Sequence, residues 1–74
     1  MIVLPDYRRH RIEVTATPAG DRFNAEVRIR RTLSDGKPQL ETVTCRKVSA
    51  ALAEQAGERW AKRWIDVQSG RSAP

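Results

Sequence analysis

A single cysteine in 74 residues excludes an internal disulfide, so packing alone must hold the fold, as expected in the reducing cytoplasm. One cysteine and one histidine also fall short of the four ligands of a usual structural zinc site. Neither His10 nor Cys45 has a Ser, Cys or second His placed beside it to complete a nucleophilic or acid–base constellation. They read instead as a surface histidine and a small core hydrophobe. The four glycines are isolated and form no phosphate-binding loop.

Long apolar runs are missing as well. Met1-Ile2-Val3-Leu4 stops at Pro5-Asp6 and is followed by Arg8, Arg9 and Arg11. It is too short for the roughly 7–15 apolar residues of a secretory signal or the roughly 20 of a membrane span. No membrane partner is expected. A chain of 8.4 kDa has little room for both a stable core and an enclosed pocket. The expectation is a non-enzymatic protein with no catalytic residues, cofactor, metal or small-molecule substrate.

What is present is an alternation of apolar and polar residues. Ile12, Val14 and Ala16 alternate with Arg11, Glu13, Thr15 and Thr17, and Phe23, Ala25, Val27 and Ile29 with Asn24, Glu26, Arg28 and Arg30. A period of two predicts two strands, each with one wet face. Pro18-Ala19-Gly20-Asp21 supplies turn chemistry between them. Pairing Thr17 with Arg22 sets Ala16 opposite Phe23, Val14 opposite Ala25 and Ile12 opposite Val27. Arg11 then faces Arg28, and Arg9 faces Arg30 if the strand extends that far.

Ser34-Asp35-Gly36-Lys37 predicts a second turn, and Gln39 to Cys45, extended to Lys47, a third strand. A two-residue loop at Asp35-Gly36 would turn Thr42 and Thr44 inward. A type I turn on Ser34-Asp35 with Gly36 as a bulge would place Val43 opposite Val27 and Cys45 opposite Ala25, leaving Leu40 on the wet face. The second buries valine and cysteine rather than two threonines, and is preferred.

Ser49 is a fitting N-cap for a helix over 50–68, which contains no proline and ends at Ser69-Gly70. At 100° per residue, Ala53, Ala56, Gly57, Trp60, Trp64 and Val67 form an apolar stripe, with Glu58, Lys62 and Asp66 opposite. Trp60 and Trp64 are read as core rather than as a ligand-gripping pair. The predicted fold is α+β: a two-layer domain in which a three-stranded antiparallel β-meander packs against one C-terminal α-helix. The chain is read as one domain, with an N-terminal segment over 1–10 of unfixed position, the meander over 11–47, the helix over 50–68 and a flexible tail over 69–74.

The formal charge is +5, and it is unevenly spread. Residues 8–31 hold seven arginines against three acids, whereas 50–68 hold three of each sign. The helix is neutral in sum, although Arg59 and Arg63 share a flank. This counts against a groove-reading helix and against an amphipathic membrane-surface helix. The positive charge belongs to the first hairpin. Arg9, Arg11, Arg28 and Arg30 are the candidate contacts to nucleic acid or another polyanion, with Thr15, Asn24 and Thr42 as hydrogen-bonding neighbours. An uncovered sheet face also needs polar residues simply to stay soluble. With Phe23 turned inward, the strands offer no exposed aromatic for stacking a single strand. The alternative is a protein-interaction module or homodimer formed through an exposed edge of the third strand.

Two stretches, 21–31 (DRFNAEVRIRR) and 60–66 (WAKRWID), resemble the pattern of small uncharacterised proteobacterial domains built as a short β-meander plus one C-terminal helix. The resemblance implies that fold and no activity or site residue. Glu41-Thr42-Val43-Thr44-Cys45 lacks the aromatics of that pattern.

Overall fold

The computed structural model describes residues 1–32 and 36–70. Four strands, β1 (Ile2–Tyr7), β2 (His10–Ala19), β3 (Arg22–Arg31) and β4 (Gln39–Lys47), precede one helix, α1 (Ala50–Gly70). The strands form one antiparallel sheet in the order β1-β2-β3-β4. The α+β two-layer arrangement matches the sequence-based expectation. The strand count does not, because the N-terminal segment supplies a fourth strand.

β1 pairs Ile2 with Val14, Leu4 with Ile12 and Tyr7 with His10, with a register shift between Leu4 and Tyr7. Pro5 lacks an N–H and is tolerated because β1 is an edge strand. The β1–β2 connection is the two residues Arg8 and Arg9, whose φ angles are 49° and 66°. Positive φ at both central positions is the signature of a type I′ hairpin turn, a conformation favoured by Asn-Gly and costly for arginine. Local bonds hold it in place. The Arg9 amide donates to Asp6 Oδ1 (3.2 Å), His10 Nδ1 donates to the Arg8 carbonyl (2.8 Å), and the Thr32 amide donates to the Arg9 carbonyl (3.0 Å).

In the second hairpin Ala19 pairs with Arg22, so β2 runs through Pro18 and Ala19 and the turn is Gly20-Asp21 alone. Gly20 has φ +66° while Asp21 does not take positive φ, the pattern of a type II′ turn. The closing pair 19–22 exchanges hydrogen bonds, so at the next pair, Pro18–Phe23, the N–H position points away from β3. On that side β1 has already ended, and proline costs the ladder nothing. The expected Thr17–Arg22 register is therefore displaced by two residues. A shift of two leaves every side chain on its expected face.

The same holds for β4. Val43 pairs with Ala25 and Glu41 with Val27, two residues from the preferred register, yet Val43 and Cys45 pack against the core and Leu40 is 60% exposed. The expected turn residues Ser34 and Asp35 lie outside the described residues. Between Ala25–Val43 and Phe23–Lys47 the register shifts, where Arg46 takes φ 48° and its amide donates to Asn24 Oδ1 (3.1 Å).

Ser49 caps α1, its Oγ accepting from the Leu52 amide (3.2 Å). The helix continues through Ser69 and Gly70, so those residues extend the helix rather than begin the expected tail; residues 71–74 of that tail lie outside the described residues. The buried line on the helix is Ala53, Gly57, Ala61 and Ile65; Ala53 and Gly57 belong to the expected stripe, whereas Ala61 and Ile65 do not. Val67 is 53% exposed, and Trp60 and Trp64 are half-buried at the margin of the core. Gly57 explains the difference. A Cβ built there would lie 2.6 Å from Val14 Cγ1 and 2.8 Å from Ala25 Cβ, so the helix meets the sheet too closely for an indole to fit between them. The core is Ile12, Val14, Ala25, Val27 and Ile29 below, with Ala61 and Ile65 above.

Candidate cationic site

Because side chains alternate along a strand, the face of the sheet away from α1 carries Arg11, Glu13, Thr15 and Thr17 of β2 and Asn24, Glu26, Arg28 and Arg30 of β3. Arg11 pairs directly with Arg30. Like charges facing each other across a ladder cost stability, which leaves this pair a ready partner for an anion. Arg28 pairs with Glu13 instead of Arg11, and shares a shallow hollow of about 270 Å³ with Glu13 and Glu26. Arg9 does not face Arg30, since it sits in the β1–β2 turn. The candidate set thus resolves into a facing pair, Arg11 and Arg30, with Arg28 next along β3 and Arg9 at the adjoining turn.

The turn brings together more than the sequence suggested. Arg8 and Arg9 in the turn, Arg11 beside it on β2, and Arg30 and Arg31 at the end of β3 place five arginines at one end of the sheet. The Thr32 amide and hydroxyl both donate to the Arg9 carbonyl (3.0 and 3.2 Å), which ties the turn to the end of β3. Asp6 and Asp66 bond to this network. Asp6 accepts from the turn backbone, while Asp66 accepts from Tyr7 Oη (2.9 Å) and pairs with Arg8 Nε (3.3 Å). The basic run Arg8-Arg9-His10-Arg11 was visible in the sequence. That it turns a corner was not, because neither central residue is Gly, Asn or Asp.

Thr15 and Thr42 are exposed on the outer face, whereas Asn24 is occupied by the Arg46 amide. Cys45 is half-buried, with its thiol donating to the Phe23 carbonyl at 3.5 Å. Among the described residues there is no cluster of three or more His, Cys, Asp or Glu side chains able to hold a metal ion, and no helix is long and apolar enough to cross a membrane.

No family model matches the sequence, and no match is found among curated proteins or solved structures. The resemblance to β-meander domains thus reaches the architecture alone, here with four strands.

Proposed function

We propose that this chain is a non-enzymatic, cytoplasmic binding domain that contacts nucleic acid or a similar polyanion through Arg9, Arg11, Arg28 and Arg30. The supporting observation is the direct pairing of Arg11 with Arg30 at the end of the sheet where the other arginines gather. Guanidinium forks suit phosphate because they donate two parallel hydrogen bonds and keep their charge at any physiological pH. The outer face is open, with a broad hollow in place of an enclosed pocket, as fits a backbone-tracking contact better than capture of a small substrate.

The test is binding to generic duplex DNA by the Arg11→Ala/Arg30→Ala double variant, both positions being exposed. Loss of two phosphate contacts should weaken binding by about tenfold or more at low salt. An unchanged affinity contradicts the assignment.

A second reading is association through an edge. β4 closes one side of the sheet and presents Leu40 outward at 60% exposure, features that favour addition of a strand from a partner or a second copy. Sedimentation of the free protein separates the two, because edge pairing gives a concentration-dependent mass and is indifferent to the double variant.

A further inference from the structure

The helix is neutral in sum, but its charges are sorted by flank. Glu54, Glu58, Lys62 and Asp66 recur at intervals of four and line the side toward β1, where each acid is engaged. Glu54 meets the Met1 amino group (2.9 Å), Glu58 meets Lys62 (2.9 Å), and Asp66 holds Tyr7 and Arg8. Trp60, Arg63, Trp64 and Val67 occupy the other flank at 100° per residue, with Arg59 between the two on the solvent side. No acid of the helix lies on that flank, and among the described residues no ion pair engages Arg31, Arg59 or Arg63.

Trp64 is a wall shared by two open hollows. One, about 320 Å³, is completed by His10, Arg31 and Gln68. The other, about 300 Å³, is completed by Trp60, Arg63, Val67 and Gln68. Each hollow therefore combines an indole with an arginine. His10 and Arg31 are cross-strand partners at the sheet end, so the first hollow lies where the helix overhangs the last rung of the ladder. His10 is fixed there by its Nδ1–H, which donates to the Arg8 carbonyl and turns Nε2 away from that bond.

We infer that the arc formed by Trp60, Arg63, Trp64 and Arg31 is a binding site for single-stranded nucleic acid, with unpaired bases against the indoles and phosphates on the guanidinium groups. Base–aromatic stacking is indifferent to sequence and needs bases freed from a duplex, while arginines track the backbone between them. The alternation of aromatic and cation over two adjoining hollows fits a repeating base–phosphate unit. A purely acidic peptide offers no repeating flat partner for the indoles. The inference shares with the proposed function only the polyanionic nature of the partner. It uses a different surface, since Arg30 and Arg31 point to opposite sides of the sheet.

Trp60 and Trp64 are the only tryptophans in the chain, so their fluorescence reports on this site directly. Titration with an unstructured oligothymidylate should give saturable quenching, and inorganic polyphosphate of equal charge should give little. Arg31→Ala/Arg63→Ala, at two exposed positions, should weaken the single strand by about tenfold. Arg11→Ala/Arg30→Ala should change it by no more than about twofold. Trp64→Phe should remove most of the signal, with far-ultraviolet melting showing that each variant folds. Absence of quenching, equal quenching by polyphosphate, or quenching by polyglutamate or anionic vesicles in place of the oligonucleotide overturns the inference. So does a larger loss in Arg11→Ala/Arg30→Ala than in Arg31→Ala/Arg63→Ala. Duplex affinity governed by Arg11 and Arg30 with silent indoles would refute this site and leave the outer-face reading standing.

Discussion

Gly57 sets the separation of the two layers. Its hydrogen faces Val14 and Ala25, both fully buried, and a methyl group there would meet Val14 Cγ1 and Ala25 Cβ within 3 Å. Alanine improves helix propensity by about 1 kcal/mol, but overpacking a tight core costs about 1–3 kcal/mol. Ala25 Cβ is part of the sheet backbone's own frame and cannot rotate aside, so the packing cost wins. Gly57→Ala should lower stability by up to about 2 kcal/mol in urea unfolding. Unchanged or raised stability would show that the layers are not in close contact. The same close approach explains why the tryptophans were misplaced by sequence reasoning. Their size suggested the centre of the stripe, whereas a centre built from Ala53, Gly57 and Ala61 admits only small side chains. The indoles are displaced to the flank, where they are half-buried against the margin of the core.

At the level of elements, β1 was the strand that the sequence concealed. Ile2 and Leu4 turn toward the core in alternation with Val3, but Pro5-Asp6 interrupts the pattern and Arg8-Arg9 carries none of the usual turn residues. The strand is secured by contacts invisible in one dimension, chiefly the Tyr7 phenol donating to Asp66 across 59 residues of chain. That bond has a titration signature. The hydrogen bond to Asp66, then desolvation and the carboxylate's negative charge, raise the Tyr7 pKa above its ordinary 10.0. Since the protonated phenol is the form stabilised on folding, its contribution is complete below the unfolded value and disappears as pH rises through the folded one. Lys62, raised above 10.5 chiefly by its hydrogen bond to Glu58, acts in the same direction. Tyr7 is the only tyrosine, so near-ultraviolet phenolate absorbance isolates it. The midpoint should lie above 10.0 in the native protein and fall back toward that value in Asp66→Ala. Identical midpoints in the two proteins would mean that the β1–α1 clasp is not formed.

β2, β3, β4 and the helix were legible because amphipathic period and capping residues act locally. Faces were legible too, and the exact pairing was not. Both hairpins differ from the expected register by two residues, a displacement that burial cannot sense because it preserves which side chains point inward. Only turn geometry distinguishes the alternatives, as the positive φ of Gly20 does for the β2–β3 connection. The functional consequence is specific. The shift moves Arg28 from Arg11 to Glu13 and gives Arg30 to Arg11, so the cationic centre lies nearer the sheet end than the sequence suggested. Arg31 and Arg63 were missed because strand alternation and helix rotation had to be combined before Trp64 could be seen between them.

Over the whole molecule, the excess of five positive charges is concentrated, not spread. The β1–β2 turn gathers Arg8, Arg9, Arg11, Arg30 and Arg31, and the helix adds Arg63 on the flank away from its paired acids, with Arg59 on its solvent side. Two surfaces are proposed, one on the outer sheet face and one beside the indoles, and both would draw on electrostatic attraction to phosphate. Association of this kind releases counterions, so its strength depends on salt in proportion to the contacts made. The most direct measurement is therefore the affinity of the native protein for generic duplex and single-stranded DNA, followed from about 50 to about 200 mM salt. Two arginine contacts to a single strand, from Arg31 and Arg63, give a logarithmic slope of about −1.4, and four contacts to a duplex, from Arg9, Arg11, Arg28 and Arg30, give about −3.6. Binding at low salt that weakens linearly on this scale is the result expected here; no binding at low salt, or an affinity that salt leaves unchanged, contradicts it.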